Sequence, residues 1–138
     1  MVARLFTPSS KKISIYSDFK KDLEISPLSS DLTLHKDEDA VKESIKNLIL
    51  TDRGERLMQP ELGGNITAML FENLTPATLK LIEDNVRTTI RLYEPRAELQ
   101  NVAVTSNIDD NTVRVRITFY IKNVQQPIDL DVFLERTR

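Results

Sequence analysis

The strongest constraint on this fold is Pro95, which lies between a helical pattern and a strand pattern of apolar residues. Upstream of it, apolar residues recur at helical spacing, at Leu79, Ile82, Val86, Ile90 and Tyr93. Proline cannot continue a helix and disfavours helical geometry at the residue before it. A helix that begins at Thr75-Pro76, a capping hydroxyl followed by proline, must therefore end near Glu94. We expect Glu94, Pro95 and Arg96 to form a rigid corner suited to binding another chain.

After the corner, apolar residues alternate with polar ones, which is the period of a half-buried strand. They lie at Val102, Val104 and Ile108, then at Val113, Val115, Ile117, Phe119 and Ile121, and finally at Ile128, Leu130, Val132 and Leu134. Asp109-Asp110-Asn111 supplies turn residues between the first two runs. The pattern predicts a C-terminal three-stranded antiparallel meander packed on helices, an α+β fold. The last strand, 128–134, is expected at a sheet edge with backbone groups available to another chain.

Two further helical segments are predicted upstream, the second of them short, so we expect two or three helices to pack on the small sheet. The first has one apolar face, at Val41, Ile45, Leu48 and Ile49. Asp37 and Asp39 are its candidate N-caps, and Gly54 suits a left-handed C-terminal residue. Asn65 is the candidate cap of a short helix with apolar residues at Ile66, Met69 and Leu70.

Residues 1–36 differ from the rest in being rich in proline and serine, with only short apolar pairs. Residues 1–21 contain five basic residues against the single acidic Asp18. We expect an extended N-terminal arm over 1–36, followed by a single α+β domain over 37–138. The arm is interpreted as solvated rather than as a phosphate-binding segment, because its five positive charges are dispersed and include no arginine cluster.

Composition narrows the function further. The net charge is −2 and cysteine is absent, which argues against nucleic-acid binding and excludes thiol chemistry. His35 is the single histidine and lies beside an acidic run, so we expect a solvated residue and no histidine metal cluster. No apolar run is long enough for a signal peptide or a membrane span. We therefore expect no cofactor, no metal, no nucleic acid, no membrane, and assembly in the cytosol.

Paired carboxylates are the one catalytic option that the composition offers. Glu94 could act with Glu83, Asp84 or Glu98 as a glycosidase pair. Arg96, two residues away, would instead favour the ionised carboxylate and disable a general acid. Tryptophan is absent, so a sugar-stacking surface is hard to build. A lysozyme-like activity is the disfavoured alternative.

A second charged cluster follows the first helix and contains Arg53, Glu55 and Arg56. Its ordinary interpretation is a helix C-terminus with internal ion pairs, which contribute little to stability when exposed. The alternative is an interface at which these charges fix the partner and its register.

These segments together resemble a known family. They are, in order, Tyr16-Ser17-Asp18-Phe19, Val41-Lys42-Glu43-Ser44-Ile45-Lys46-Asn47-Leu48, Leu50-Thr51, Gly54-Glu55-Arg56, Pro60-Glu61-Leu62-Gly63, Leu70-Phe71-Glu72 and Tyr93-Glu94-Pro95-Arg96. The chain resembles the small baseplate wedge proteins of contractile-tailed phages, the sheath-initiator family long labelled "lysozyme-like", over residues 13–135. A subunit of the type VI secretion baseplate is related. Leu62 departs from the family, which often has an aromatic residue there.

The resemblance implies a structural, non-catalytic role in the virion, in a tail baseplate assembled in the host cytoplasm. Glu94, Pro95 and Arg96 would dock on the helical core bundle of the larger wedge proteins. The strand carrying Ile128, Leu130, Val132 and Leu134 would pair with strands of the tail sheath protein and initiate the sheath. Six copies per tail are expected, with tail tube or hub proteins as further candidate partners. The equivalent subunit of another contractile injection system is the alternative.

Overall fold

The computed structural model describes residues 14–27, 30–107, 112–122, 124 and 126–135. In this part of the chain the elements are β1 (Ser17–Phe19), β2 (Leu34–Lys36), α1 (Glu38–Leu50), α2 (Ile66–Leu70), α3 (Pro76–Tyr93), β3 (Ala97–Asn107), β4 (Thr112–Ile121) and β5 (Pro127–Glu135). β3, β4 and β5 form an antiparallel sheet in that order, and β1 pairs with β2. The predicted α+β class and the C-terminal meander are confirmed.

Helix α3 and its end follow the sequence pattern closely. Thr75 precedes the helix, and its side chain accepts a hydrogen bond from the Thr78 amide. Pro76 occupies the first turn, where its missing N–H is not needed. The helix ends at Tyr93, and Glu94 leaves helical geometry at φ −124° and ψ 75°. The corner before Pro95 is therefore confirmed.

The core lies between the inner face of the three-stranded sheet and helices α1, α2 and α3. All the inward apolar residues predicted for β4 are buried, at Val113, Val115, Ile117, Phe119 and Ile121. On β5, Ile128, Val132 and Leu134 are buried and Leu130 is half-buried. β5 has only β4 as a neighbour among the described strands, as expected for an edge strand. Ile108 and the predicted turn at 109–111 lie outside the described residues.

Helix α1 begins directly after Asp37, so Asp37 rather than Asp39 occupies the N-cap position. Its carboxylate, however, faces the preceding chain: Oδ1 accepts hydrogen bonds from the amides of Ile15 (2.7 Å) and Tyr16 (3.2 Å). Gly54 has a left-handed φ of 87°, but Thr51 is the C-cap and Gly54 lies beyond it in the loop. The prediction that Gly54 ends α1 was therefore wrong, because the helix stops at Leu50.

The N-terminal segment contains a two-stranded sheet that the sequence did not predict. Asp18 lies opposite His35, and Phe19 lies opposite Leu34. His35 is consequently a half-buried strand residue, not the fully solvated residue expected before the cap. The sequence carries no signal for this sheet, because strands of three residues are too short to show the alternation of apolar and polar residues. Residues 1–13 of the predicted arm lie outside the described residues.

Candidate functional site

The corner after α3 holds an arginine–carboxylate pair with bidentate geometry. Arg96 Nε donates to Glu94 Oε1 at 2.6 Å, and Arg96 Nη2 donates to Glu94 Oε2 at 2.7 Å. Pro95 lies between the two residues and fixes the turn that brings them together. Two parallel charge-assisted hydrogen bonds define the orientation of the guanidinium as well as its position.

Glu94 is nevertheless not a surface residue. Its side chain is only 2% exposed, whereas that of Arg96 is 29% exposed and Pro95 is exposed. The sequence predicted that carboxylate and guanidinium would both be presented to another chain. The structure instead turns Glu94 inward, so that Arg96 and Pro95 form the outer surface of the corner.

Helix α1 supplies the third member of this group. Ser44 Oγ donates to Glu94 Oε2 at 2.5 Å. Burial raises the pKa of Glu94, but the hydrogen bonds from Arg96 and Ser44, together with the charge of Arg96, outweigh burial and hold the pKa below its usual range. The carboxylate is therefore ionised at neutral pH, and both of its oxygens accept hydrogen bonds within the chain.

Tyr16, the residue just before β1, covers one face of the same guanidinium. Arg96 Cζ lies 5.7 Å from the centroid of the Tyr16 ring, within the range of a cation–π contact. Tyr16 is in turn tied to the start of α1, since Asp37 N donates to Tyr16 O at 2.7 Å. Three separate segments of the chain thus meet at the Glu94–Arg96 pair: the corner itself, α1 through Ser44, and the N-terminal segment through Tyr16.

Arg53, Glu55 and Arg56, the second predicted cluster, lie in the loop between α1 and α2. Arg53 Nε donates to Gly63 O at 3.4 Å, and the Asp52 amide donates to Glu55 Oε2 at 3.1 Å. These two side chains therefore support the loop itself. Arg56 is exposed and lines a polar cavity of about 290 Å³.

This cavity connects the loop with the corner. Its wall includes Ser44, which binds Glu94, as well as Asp18 from β1 and Tyr93 from the end of α3. The Tyr93 hydroxyl also donates to Glu61 O at 3.0 Å, which fixes the loop against α3. The structure therefore brings the two predicted clusters to neighbouring parts of one surface.

The four residues of β5 that were predicted to pair with another chain have side chains that face the core. Pairing of this edge strand with another chain would therefore use its backbone. Its outward residue Asp131 accepts hydrogen bonds from Arg114 (2.6 Å) and Arg116 (3.0 Å) of β4. Asp129 similarly accepts from Thr118 at 2.7 Å. These contacts attach β5 firmly to β4 and leave its other edge as the candidate pairing edge.

The alternative catalytic carboxylates have structural partners of their own. Glu83 accepts from Lys80 at 2.8 Å and from Arg87 at 3.0 Å, and the hydrogen bond from Lys80 is the main cause of its lowered pKa. Asp84 lies 3.5 Å from Lys80. Among the described residues there is no group of three or more histidine, aspartate or glutamate side chains arranged to hold a metal ion. Nor does any helix in this part of the chain combine the length and apolarity needed to cross a membrane.

Comparison with known families decides the assignment. The sequence model of the family described as baseplate wedge protein gp25 matches residues 35–126, which include α1, the loop, α3 and the corner. The chain belongs to this family. Baseplate wedge protein gp25 of Enterobacteria phage T4 is 36% identical over 92 residues, which are 67% of this chain and 68% of the phage protein.

Two solved structures extend the gp25-family assignment. A chain of the anti-feeding prophage baseplate superposes with a TM-score of 0.69 at 29% identity, covering 80% of this chain and 88% of its own length. A protein from Geobacter sulfurreducens described as a tail lysozyme superposes with a TM-score of 0.67 at 28% identity, covering 73% and 92%. Relatives of this chain are thus components of phage and phage-like tail baseplates.

Sequence reasoning missed Ser44 and Tyr16 as parts of the site. Ser44 lies beside the buried face of α1, between Val41 and Ile45. This position was the one feature of the sequence that could have indicated a role in the site. Its contact with Glu94 spans 50 residues of sequence. Tyr16 was noticed as part of a family-like segment, but nothing in the sequence placed it against Arg96.

Proposed function

We propose that this protein is a non-enzymatic baseplate component that docks on the helical core of the larger wedge proteins through Arg96 and Pro95. The observation that carries this proposal is the fork between Arg96 and the buried carboxylate of Glu94. An ordinary ion pair on a surface does not require its carboxylate to be buried. A buried carboxylate that binds the guanidinium through two hydrogen bonds fixes its orientation, and this helps an arginine that must bind a partner in one orientation.

In this proposal Glu94 contributes by holding Arg96 rather than by touching the partner. Glu94 uses two of the five N–H groups that an arginine carries. The remaining donors suit carbonyl or carboxylate oxygens of the wedge bundle. Arg56 and the cavity beside the corner would extend the same contact, with the charge of Arg56 contributing to specificity.

The second part of the proposal concerns the tail sheath. β5 is an edge strand whose outer backbone edge could accept a strand from a sheath subunit, as in other cases of strand addition. In this way the sheet would initiate sheath assembly. Six copies around the tail axis, with tail tube or hub proteins nearby, complete the proposed arrangement. The proposed location is the virion baseplate, after assembly in the host cytoplasm.

The proposal is tested by affinity capture from cells assembling the tail. Wild-type protein is compared with the Glu94→Ala, Arg96→Ala double variant, and captured proteins are identified by mass spectrometry. We expect the wild type to recover wedge and sheath subunits and the variant to lose the wedge subunits. A variant that still recovers the wedge subunits would contradict the docking role of the corner.

A peptidoglycan-cleaving activity is the second candidate, and the neighbour described as a tail lysozyme is the observation in its favour. The state of Glu94 argues against it, because a buried carboxylate with a lowered pKa and two hydrogen-bonding partners is a poor proton donor. Purified protein is expected to leave peptidoglycan intact. Cleavage that is abolished by Glu94→Gln would establish the enzyme instead.

A further inference from the structure

We infer that the docking site is composite: Tyr16, in the N-terminal segment, and Ser44, on α1, are positioning residues that preset the orientation of Arg96. This inference rests on the proposed function, since it concerns how Arg96 is offered to its partner. It adds a segment of the chain that the corner motif does not contain. Tyr16 lies outside the residues matched to the gp25 family, whereas Ser44 and the corner lie inside them.

The first step is the fixing of Tyr16 by the start of α1. Its amide donates to Asp37 Oδ1 at 3.2 Å, and its carbonyl accepts from the Asp37 amide at 2.7 Å. The Ile15 amide donates to the same Asp37 oxygen at 2.7 Å. The β1–β2 ladder continues from this point, with Ser17 opposite Lys36. The Tyr16 ring is thus held on a backbone tied at both its N–H and its C=O.

The second step is the enclosure of the guanidinium. Glu94 occupies the edge formed by Nε and Nη2, and the Tyr16 ring covers one face. Ser44 donates a hydrogen bond to the Glu94 carboxylate and so fixes the group to which Arg96 is bound. Asp18, next along from Tyr16 and Ser17, adds a negative charge that favours the guanidinium cation at this place. Among the described residues, these contacts leave the remaining edge and the opposite face of the guanidinium to a partner.

This enclosure defines the kind of partner that fits. The remaining edge of the guanidinium has N–H donors in a plane fixed by Glu94 and Tyr16. It suits a pair of oxygens, either a carboxylate or adjacent backbone carbonyls, on a protein surface that also packs on exposed Pro95. Because the orientation is set before binding, little side-chain freedom is lost on docking.

The test is a double-mutant cycle on binding to the wedge complex assembled without this subunit. Tyr16→Leu removes the ring while keeping a smaller apolar side chain, and Tyr16→Phe is the matched control that keeps the ring. We expect Tyr16→Leu to weaken binding about two- to five-fold, the equivalent of one exposed cation–π contact, and Tyr16→Phe to bind like the wild type. In the Arg96→Ala background, Tyr16→Leu should cause no further loss.

The outcomes separate this inference from the proposed function. If Arg96→Ala binds like the wild type, the proposed function itself fails. If Arg96→Ala weakens binding but Tyr16→Leu has no effect, or weakens binding equally in both backgrounds, the positioning role alone is overturned.

A second measurement is made on the isolated protein without its partner, so the inference can be tested even if one of the variants folds too poorly for the binding assay. Hydrogen exchange of the Arg96 Nε–H, followed by NMR, is expected to accelerate in Ser44→Ala and in Tyr16→Leu relative to Tyr16→Phe. Exchange that is unchanged in both variants would overturn the inference.

Discussion

Arg96 donates two parallel hydrogen bonds to Glu94, and the carboxylate that accepts them is 2% exposed. The two residues are separated only by Pro95, so the corner that ends α3 also creates the pair. Ser44 on α1 donates to the same carboxylate. The site proposed to bind another chain is therefore built into the packing of the domain and is not a feature added to its surface.

Removing the buried carboxylate is expected to cost stability. In Glu94→Ala the Ser44 hydroxyl and the Arg96 guanidinium lose their partner, and we expect the free energy of unfolding to fall by about 1–3 kcal/mol. Urea denaturation measures this change. Glu98→Ala, at an exposed position on β3, is the matched control and should leave stability within experimental error. Equal stability of the two variants would mean that the pair contributes nothing to the fold.

The same carboxylate should make stability depend on pH. Because the pKa of Glu94 is lowered in the folded protein, its contribution is fully present above the unfolded pKa of about 4.3 and is lost as the pH falls through the folded pKa. The difference in unfolding free energy between the wild type and Glu94→Gln should therefore shrink as the pH falls from about 5 into the acidic range below the unfolded pKa. Urea titrations of both proteins across this range provide the measurement. A difference that grows on acidification would have the wrong sign.

Two phenylalanines on neighbouring strands should respond very differently to truncation. Phe119 on β4 is fully buried, whereas Phe133 on β5 is 60% exposed and lies 5.2 Å from the guanidinium carbon of Arg114. Phe119→Ala is expected to cost about 3–5 kcal/mol through lost burial and the remaining cavity. Phe133→Ala should cost no more than about 1 kcal/mol. Similar melting temperatures for the two variants would contradict the assigned faces of the sheet.

Two glycines of the α1–α2 loop provide a further matched pair. A Cβ added to Gly63 would lie 2.2 Å from Thr51 O, and its φ is 122°. A Cβ added to Gly54 would meet nothing within 4 Å, although its φ is 87°. Gly54→Ala should therefore cost only the left-handed backbone term, about 1–2 kcal/mol, and Gly63→Ala distinctly more. Thermal unfolding that ranks the two in the opposite order would contradict the loop geometry.

The parts of the fold that the sequence predicted have long or chemically distinctive signals. α3 spans several helical turns between a capping threonine and Pro95, and the inward side of β4 alternates without interruption from Val113 to Ile121. Both patterns reflect burial on one face, which local sequence records directly. The β1–β2 pair has strands of three residues, too short to record a period.

The site was predicted only in part for a related reason. The corner was visible because proline acts locally on its neighbours. The inward turn of Glu94 depends on Ser44, which is 50 residues away in sequence, and the placement of Arg96 depends on Tyr16. These contacts arise because α1 and the residue before β1 pack near the end of α3, which no local pattern encodes. The roles of Pro95, Arg96 and the β5 edge toward wedge and sheath partners stay predictions.

The docking role of Arg96 is tested most directly by the equilibrium dissociation constant of purified Arg96→Ala for the wedge complex that lacks this subunit. Arg91→Ala, which removes an exposed arginine from the last turn of α3, is the matched control. We predict that Arg96→Ala binds at least about ten-fold more weakly than the wild type, while Arg91→Ala is unchanged and both variants keep the wild-type circular dichroism spectrum. Wild-type affinity of Arg96→Ala, or an equal loss in Arg91→Ala, would contradict docking through the corner.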